Sequence, residues 1–297
     1  MTRQRLAWLS TFLAAISRFL TQTLPGRILV FLSLPAAIVA VALWEPDHSP
    51  PLFDMQMHYN EEAWEGFSAK GILKSLQRKN VRWVAVSSTP NEGTAKLYRL
   101  DGARVIPFLV PYRTREDRDH WVEKPETIEW LQTELALGTY RGIGEFHLYD
   151  GRMDTPVVRR LVALAVERNL VLNVHAEADV MERLLTFDPG MRVIWAHAGL
   201  KTSLRRVGEL LERHPRLHVE LSHRADIAPD GQLAAEWRDL FERFPDRFMV
   251  GSGTYNNEFW YRYGHTLELN REWLRQLPPK LAERIAFQNA LDLLTHP

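Results

Sequence analysis

The stretch GIGEFHLYDGRMDTPVVRRLVALAVERNLVLNVHAEA, residues 142–178, sets the expected fold. Two short apolar runs, 142–148 and 170–178, flank the segment 157–167, in which apolar residues recur with the period of a helix. A strand, a helix and a second strand in this order form a crossover unit that places the two strands side by side and parallel. The stretch therefore predicts a parallel sheet covered by helices.

The same unit recurs outward in both directions along the chain. Helical patterns such as 202–213, with Thr202 or Ser203 as its N-cap, separate the strand-like runs, and a final helix is expected over 279–294. Eight units close a barrel, whereas five or six would leave an open sheet, so we expect a (β/α)8 barrel over residues 46–297. The eight predicted strands are 52–59, 81–89, 104–111, 142–148, 170–178, 192–199, 217–224 and 247–254.

Composition removes several classes of function. The chain has 37 Lys and Arg against 37 Asp and Glu, and this zero net charge argues against a nucleic-acid partner, which usually requires a basic excess. The hydrophobic fraction of 45% is typical of a globular protein rather than a disordered one. Because there is no cysteine, disulfides, zinc–thiolate sites and thiol nucleophiles are excluded. Any chemistry must then come from histidines, carboxylates and other polar groups.

The first 45 residues read as a leader rather than a part of the barrel. Residues 28–44, ILVFLSLPAAIVAVALW, carry no charge and lie at the short end of the roughly 17–25 residues that span a bilayer. Basic residues precede this run and acidic residues follow it, which predicts a cytoplasmic N-terminus and an exported barrel. We expect residues 1–45 to be an amphipathic segment plus a signal anchor; the alternatives are cleavage near Ala42, giving a secreted or periplasmic protein, and a buried helix of the fold.

Polar residues gather where the predicted strands end. Glu145 lies on the fourth strand, and five of the 11 histidines lie near strand ends: His58, His147, His175, His197 and His223. Barrels of this type carry their chemistry at the carboxyl ends of the strands, where side chains from different strands meet. The sequence therefore predicts the functional site at that end of the barrel.

A carboxylate and two imidazoles are a typical ligand set for an open divalent metal site. Glu145, His175 and His197 supply that set, and we expect one bound ion, Zn²⁺ being the first candidate. Such an ion lowers the pKa of water at its open position to about 7, which makes hydroxide available at neutral pH. Each histidine taken alone has a second interpretation as a hydrogen-bonded core residue, and Glu145 alone as an ordinary carboxylate.

Six short motifs, in order along the chain, resemble the amidohydrolase-2 branch of the amidohydrolase superfamily. The resemblance implies a (β/α)8 barrel that uses one or two divalent ions to hydrolyse small substrates, or sometimes to decarboxylate or hydrate them. By position it also implies Glu145, His175 and His197 as ligands of one metal. The motifs are DMQMH (54–58), GIGEFHL (142–148), NVHAE (173–177), WAHAG (195–199), DRFMVGSGT (246–254) and IAFQNALDLL (285–294).

Two positions depart from the family pattern. The first strand of the family reads Asp-x-His-x-His, but this chain has Gln56 at the first histidine. The eighth strand of the family ends Gly-Ser-Asp, but this chain has Gly253 at the aspartate, which in the family handles the proton of the attacking water. The catalytic residue is therefore unknown from sequence, with Glu258 and His223 as the substitutes considered. His58 is left either as a weak ligand or as a relic of the second metal site.

Four further residues are candidates for contacts with a small-molecule substrate: Gln56, His147, Arg113 and His223. Each has a structural alternative. For Gln56 the alternative is a structural role, for the two histidines it is packing behind the site, and for Arg113 it is a solvated loop cation.

Three functions remain open on the sequence. The first is a mono-metal hydrolase of an amide, ester or lactone. The second, motivated by Gln56 and Gly253, is a degenerate barrel that binds a ligand or a protein at the cell envelope without catalysis. The third is a lyase of the decarboxylase or hydratase type from the same branch. In each case the membrane is expected as a partner through residues 1–45.

Overall fold

The computed structural model describes residues 50–295, and these contain eight parallel strands in a nearly closed barrel. Neighbouring strands pair in the order of the sequence, from β1 to β8. The predicted (β/α)8 fold and all eight strand positions are thus confirmed, with shorter strands than expected. The strands are β1 (Leu52–His58), β2 (Val81–Ser87), β3 (Val105–Leu109), β4 (Gly142–His147), β5 (Val171–His175), β6 (Arg192–Trp195), β7 (Leu217–Glu220) and β8 (Phe248–Met249).

The barrel closes between β8 and β1, although β8 has only two residues. The amide of Met55 donates to the carbonyl of Val250 at 3.0 Å, and the amide of Gly253 donates to the carbonyl of Gln56 at 2.7 Å. Residues 250–254, which we predicted as part of the last strand, are instead irregular backbone beside β1. They carry the family's aspartate position into the barrel mouth.

Within residues 50–295, ten α-helices follow or flank the strands, and one main helix separates each pair of consecutive strands. The helices are α1 (Ala69–Arg78), α2 (Glu92–Leu100), α3 (Glu126–Leu135), α4 (Pro156–Glu167), α5 (Ala178–Leu185), α6 (Leu204–Arg213), α7 (Ala235–Arg243), α8 (Asn257–Leu274), α9 (Pro279–Glu283) and α10 (Asn289–Thr295).

Local sequence explains where several helices begin. The side chain of Ser203 accepts a hydrogen bond from the amide of Arg206 and so caps α6, which selects Ser203 over Thr202. Thr155 caps α4, whose first residue is proline, a residue that suits the first turn because no partner is needed for its missing N–H. The expected final helix is interrupted by a π-helical turn at Arg284–Gln288 between α9 and α10.

The simple alternation expected for β1 is wrong. Since successive residues of a strand point to opposite faces, the sequence predicts that Met55 and Met57 share one face. Instead, Met57 packs in the cluster between barrel and helices, and Met55 packs in the barrel interior with Phe53. The pairing of β1 with β2 shifts register between Asp54 and Met57, which changes the face on which the following residues lie. An irregularity of this kind is not visible in the period of the sequence.

Residues 1–49 lie outside the described part of the chain, so the anchor, its cleavage near Ala42 and the domain boundary after residue 45 stay predictions. Within residues 50–295, no helix combines the length and the apolar character that crossing a bilayer requires.

Candidate functional site

A cavity of about 990 Å³ opens at the carboxyl ends of the strands. Glu145 lines it, and so do all five histidines that the sequence placed near strand ends: His58, His147, His175, His197 and His223. The expected meeting of these residues at the barrel mouth therefore occurs.

The carboxylate of Glu145 is the centre of this cluster. It is only 6% exposed, and three imidazole nitrogens approach it at 3.0 Å each: Nε2 of His58 on Oε2, and Nδ1 of His175 and Nε2 of His197 on Oε1. Burial alone would raise the pKa of Glu145, but the facing imidazoles outweigh it and hold the pKa well below the usual value. Glu145 is thus a carboxylate at neutral pH, surrounded by nitrogen ligands.

His197 lies between two carboxylates. Its Nδ1 is 3.2 Å from Oε2 of Glu220 and 3.1 Å from the carbonyl of Ser222, while its Nε2 faces Glu145. Burial lowers the pKa of His197, but the charges and hydrogen bonds of Glu145 and Glu220 outweigh this and raise it to about 10. The backbone amide of His197 also donates to Glu220, at 3.2 Å. Glu220 therefore fixes both the main chain and the ring of this histidine.

Gln56, the first departure from the family pattern, supports His58 from behind. The amide of Asn173 donates to Oε1 of Gln56 at 2.6 Å, which turns the NH₂ group of Gln56 toward Nε2 of His58, 3.3 Å away. Nδ1 of His58 in turn faces the carbonyl of Ser87 at 3.2 Å, to which it donates. These contacts hold the ring so that Nε2 of His58 faces Oε2 of Glu145, 3.0 Å away.

A divalent cation fits this donor set. Oε2 of Glu145 lies 3.0 Å from Nε2 of His58, and Oε1 lies 3.0 Å from Nδ1 of His175, so a carboxylate and imidazole nitrogens meet at one point. One carboxylate and several imidazoles are ligands that zinc and similar ions accept.

His147 lies beside His175 on the cavity wall. The two residues are partners in the register of β4 and β5, and their rings stack with centroids 4.4 Å apart. Burial lowers the pKa of His147 to about 3, so its ring is neutral. Among the described residues, one set of three potential ligands has its donor atoms mutually within 4.8 Å, namely Glu145, His147 and His175. His197, which we expected as the third ligand, is outside that set.

Gly253, the second departure, has a structural partner in His223. Gly253 adopts a φ of +64°, and a Cβ atom placed on it would lie 2.1 Å from Nε2 of His223. The imidazole of His223 thus fills the volume that a side chain at residue 253 would enter. Its ring also packs against those of His197 and Phe259, with centroids 5.0 and 4.7 Å away. Burial and the neighbouring His197 lower the pKa of His223 to about 4.

Arg113 and Glu258 lie in different surroundings. Arg113 lines the cavity, is exposed, and makes no ion pair with any residue in the range 50–295. Glu258 is exposed on α8, 3.5 Å from Arg262, and does not line the cavity. The structure therefore leaves His223 as the better placed of the two substitutes considered for the missing aspartate.

Sequence reasoning missed Glu220 and Tyr112. Glu220 is fully buried at the end of β7, and an acidic residue in the apolar run LHVEL was the signal available for it. Tyr112 is 7% exposed, and its hydroxyl lies 3.3 Å from Nδ1 of His147 and 3.4 Å from the carbonyl of Glu145. A tyrosine in a loop gives no such signal, because its partners come from β4.

The chain matches the amidohydrolase family model, Amidohydro_2, over residues 120–295, which is more than half its length. No curated protein matches it in sequence.

Among solved structures, the chain resembles a probable 2-pyrone-4,6-dicarboxylic acid hydrolase from Acinetobacter baumannii with bound citric acid, with TM-score 0.60 and 12% identity over 82% of this chain and 99% of that one. It also resembles an amidohydrolase from Burkholderia multivorans, with TM-score 0.55 and 16% identity over 83% and 100%. A third is a TatD homologue from Escherichia coli, with TM-score 0.59 and 15% identity over 83% and 98%. At these identities the likeness concerns the fold alone.

Proposed function

Since the chain belongs to the amidohydrolase family, we propose that it is a metal-dependent hydrolase of a small carbonyl compound, an amide, ester or lactone. The observation that carries the proposal is the convergence of three imidazole nitrogens on the buried carboxylate of Glu145, 3.0 Å away in each case, at the mouth of the barrel. A cavity of about 990 Å³ above this cluster has room for a small substrate.

Glu145 and His175 would hold one divalent ion, zinc being the first candidate, together with a further imidazole. The ion would polarise the substrate carbonyl and lower the pKa of water toward about 7. Glu145 stays ionised for this role because the imidazoles around it hold its pKa low. Gln56 and Ser87 hold the ring of His58 so that its Nε2 faces the same centre.

His223 supplies the proton transfer that the family assigns to the aspartate at position 253. Its imidazole stands in the volume of the missing side chain and lines the cavity. In this proposal the ring takes a proton from the attacking water and returns it to the leaving group, so that the base is regenerated. The departure at Gly253 then moves the proton-transfer group from the eighth strand to the end of the seventh.

Arg113 would bind an anionic group of the substrate, since it lines the cavity as an exposed cation without an ion-pair partner within residues 50–295. Replacement by alanine should raise KM about tenfold for an ester that carries a carboxylate and leave KM for a neutral ester unchanged, since a charge-assisted hydrogen bond contributes about 1.5–3 kcal/mol. Equal changes in both KM values would argue against this contact.

A second candidate function is a non-catalytic barrel that binds a ligand. It is favoured by one observation, that Gly253 offers no side chain where the family has its proton-transfer group. Such a protein would bind the metal without hydrolysing any of the substrates below.

The test is metal analysis and hydrolysis by the full chain, with p-nitrophenyl acetate, p-nitroacetanilide and dihydrocoumarin as probes. We expect about one equivalent of zinc and turnover of at least one probe. Glu145→Gln should lower both, and Glu258→Gln is the matched control on the surface, which should change neither. Unchanged hydrolysis in Glu145→Gln would contradict the proposed hydrolase mechanism. A wild-type protein that binds metal but hydrolyses none of the probes would also contradict the proposal and would favour the ligand-binding barrel.

We further propose that residues 1–45 anchor the barrel on the exported side of the membrane, supported by the uncharged run 28–44 and the basic residues before it. Recovery of the full chain in the membrane fraction, with the barrel accessible to protease added to spheroplasts, is the expected result. Protection of the barrel from that protease would contradict the orientation.

A further inference from the structure

The potential ligands of the metal differ between the sequence and the structure in one residue. The sequence places His197 with Glu145 and His175, whereas the set of donor atoms mutually within 4.8 Å in residues 50–295 contains His147 instead. Glu145 and His175 belong to both sets, so the open question is which imidazole completes the site.

The hydrogen bonds of Tyr112 leave His147 ready to bind a cation. The hydroxyl of Tyr112 donates to the carbonyl of Glu145 at 3.4 Å, so its oxygen is free to accept from Nδ1–H of His147, 3.3 Å away. With the proton on Nδ1, the lone pair of His147 is on Nε2. A partner that holds the other ring nitrogen in this way is the usual support of a metal-binding histidine.

The strand register brings His147 to the correct neighbour. His147 and His175 are paired across β4 and β5, and their rings are stacked at 4.4 Å with 25° between the planes. Two residues that share this pairing project to the same side of the sheet and reach a common point in front of it. The rigid strands thus hold the two imidazoles together, as a preformed site requires.

Both ring nitrogens of His197 already face oxygen atoms of the protein. Its Nε2 faces Glu145 at 3.0 Å, and its Nδ1 faces Glu220 at 3.2 Å and Ser222 at 3.1 Å. His197 therefore lies outside the set of donor atoms that are mutually within 4.8 Å, whereas His147 belongs to that set together with Glu145 and His175.

We propose that His147 is a ligand of the divalent ion, with Glu145 and His175, and that Tyr112 orients it. The ion is of the class that imidazole and carboxylate ligands select, Zn²⁺ or Co²⁺. This inference rests on the proposed function, because it takes from it the presence of one ion. It changes the ligand set that the family resemblance implies, and it gives β4 two ligands, Glu145 and His147.

The test is titration of the full chain, stripped with a chelator, with Co²⁺ alone and with Zn²⁺ in competition. His147→Ala should weaken binding by about 100-fold or more and change the visible spectrum of bound Co²⁺. Tyr112→Phe, which removes the oxygen that accepts from Nδ1, should weaken binding about tenfold, the lower end for an outer partner of a ligand. His120→Ala, an exposed histidine outside the cavity, is the matched control and should keep wild-type affinity.

Thermal unfolding of the metal-free variants shows whether each one folds, and only folded variants are compared. Co²⁺ binding by His147→Ala with wild-type affinity and spectrum would overturn the inference while leaving the metal-dependent function in place. A wild-type chain that binds neither ion would overturn the function and the inference together. His147→Asn separates loss of the imidazole from loss of volume, because it keeps a polar side chain of similar size. It should lose metal affinity as His147→Ala does.

Discussion

The two ends of the barrel interior are lined by different kinds of side chain, although the same eight strands form both ends. The lower end, which is the end opposite the mouth, is filled by apolar side chains that are each at most 1% exposed: Phe53, Met55, Phe108, Ile194 and Met249. At the mouth, Glu145 and five imidazoles line a cavity instead. Both departures from the family pattern, Gln56 and Gly253, lie near the mouth, and neither lies among these apolar residues.

This difference separates stability from reactivity. Apolar residues at the lower end exclude water and stabilise the barrel by burial, at about 25 cal/mol per Å². The residues of the mouth are held in hydrogen-bond networks whose value lies in orientation and charge. Removing a side chain at one end should therefore change a different measured quantity from removing one at the other end. The first two of the following four predictions test this, and the other two concern backbone strain and burial.

The largest effect is expected at the lower end. Phe108→Ala should lower the free energy of unfolding by about 3–5 kcal/mol, because it leaves a cavity among rigid strands. Denaturant unfolding of the metal-free protein measures it. Phe108→Leu, which conserves more volume, should cost less than about 1.5 kcal/mol. Equal and small losses for both variants would show that the lower end does not carry the stability.

At the mouth, His223→Gln should lower kcat about 100-fold with little change in KM or in the unfolding temperature, because it removes proton transfer and leaves the apolar core untouched. Steady-state kinetics on whichever probe the wild type hydrolyses measures it. A variant with wild-type kcat would remove His223 from the mechanism. A variant with a much lower unfolding temperature would instead show that the two ends are not separable.

Gly253→Asp, which would restore the residue of the family, should destabilise the protein by about 1–3 kcal/mol and give no gain in hydrolysis. The φ of +64° disfavours a side chain, and its Cβ would meet the ring of His223 at 2.1 Å. The double variant His223→Gly with Gly253→Asp removes that overlap and should recover part of the stability. Equal unfolding free energies for the single and double variants would show that the two positions are independent.

The smallest effect concerns pH and His218 on β7, away from the cavity. Burial lowers its pKa from 6.5 to about 4, and Nδ1 has no partner within the described residues. Below pH 6.5 the unfolded chain binds a proton that the native state does not, so stability falls as the pH drops from 6.5 to 4. His218→Gln should flatten this part of the stability curve, and His120→Gln should not. An unchanged slope in His218→Gln would argue against the burial effect.

The sequence predicted the eight strands and the meeting of Glu145 with five histidines at the mouth of the barrel. Strands and helices differ in the period of their apolar residues, and the carboxyl ends of parallel strands meet by topology, so these features follow from the order of the residues. It did not predict that Met55 and Met57 lie in different clusters, because the register shift in β1 depends on pairing with β2. Nor did it predict the roles of Glu220 and Tyr112, whose partners are distant in sequence.

Gly253 shows where the sequence reaches its limit. Read along the chain, it is a lost aspartate and suggests a lost function. In three dimensions its place is filled by His223, 30 positions earlier, because strands β7 and β8 are neighbours in the barrel. Likewise, the proton positions that make His147 a candidate ligand come from Tyr112 on another strand end.

The sequence by itself determined the fold class, the end of the barrel that carries the chemistry and the residue types found there, since hydrophobic period and residue chemistry are local properties. Only the tertiary structure decided which imidazoles lie against Glu145 and which side chain fills the place of the missing aspartate. Those features depend on distances between groups far apart in the chain, and hydrogen bonding and steric exclusion act over a few ångströms in space whatever the separation in sequence.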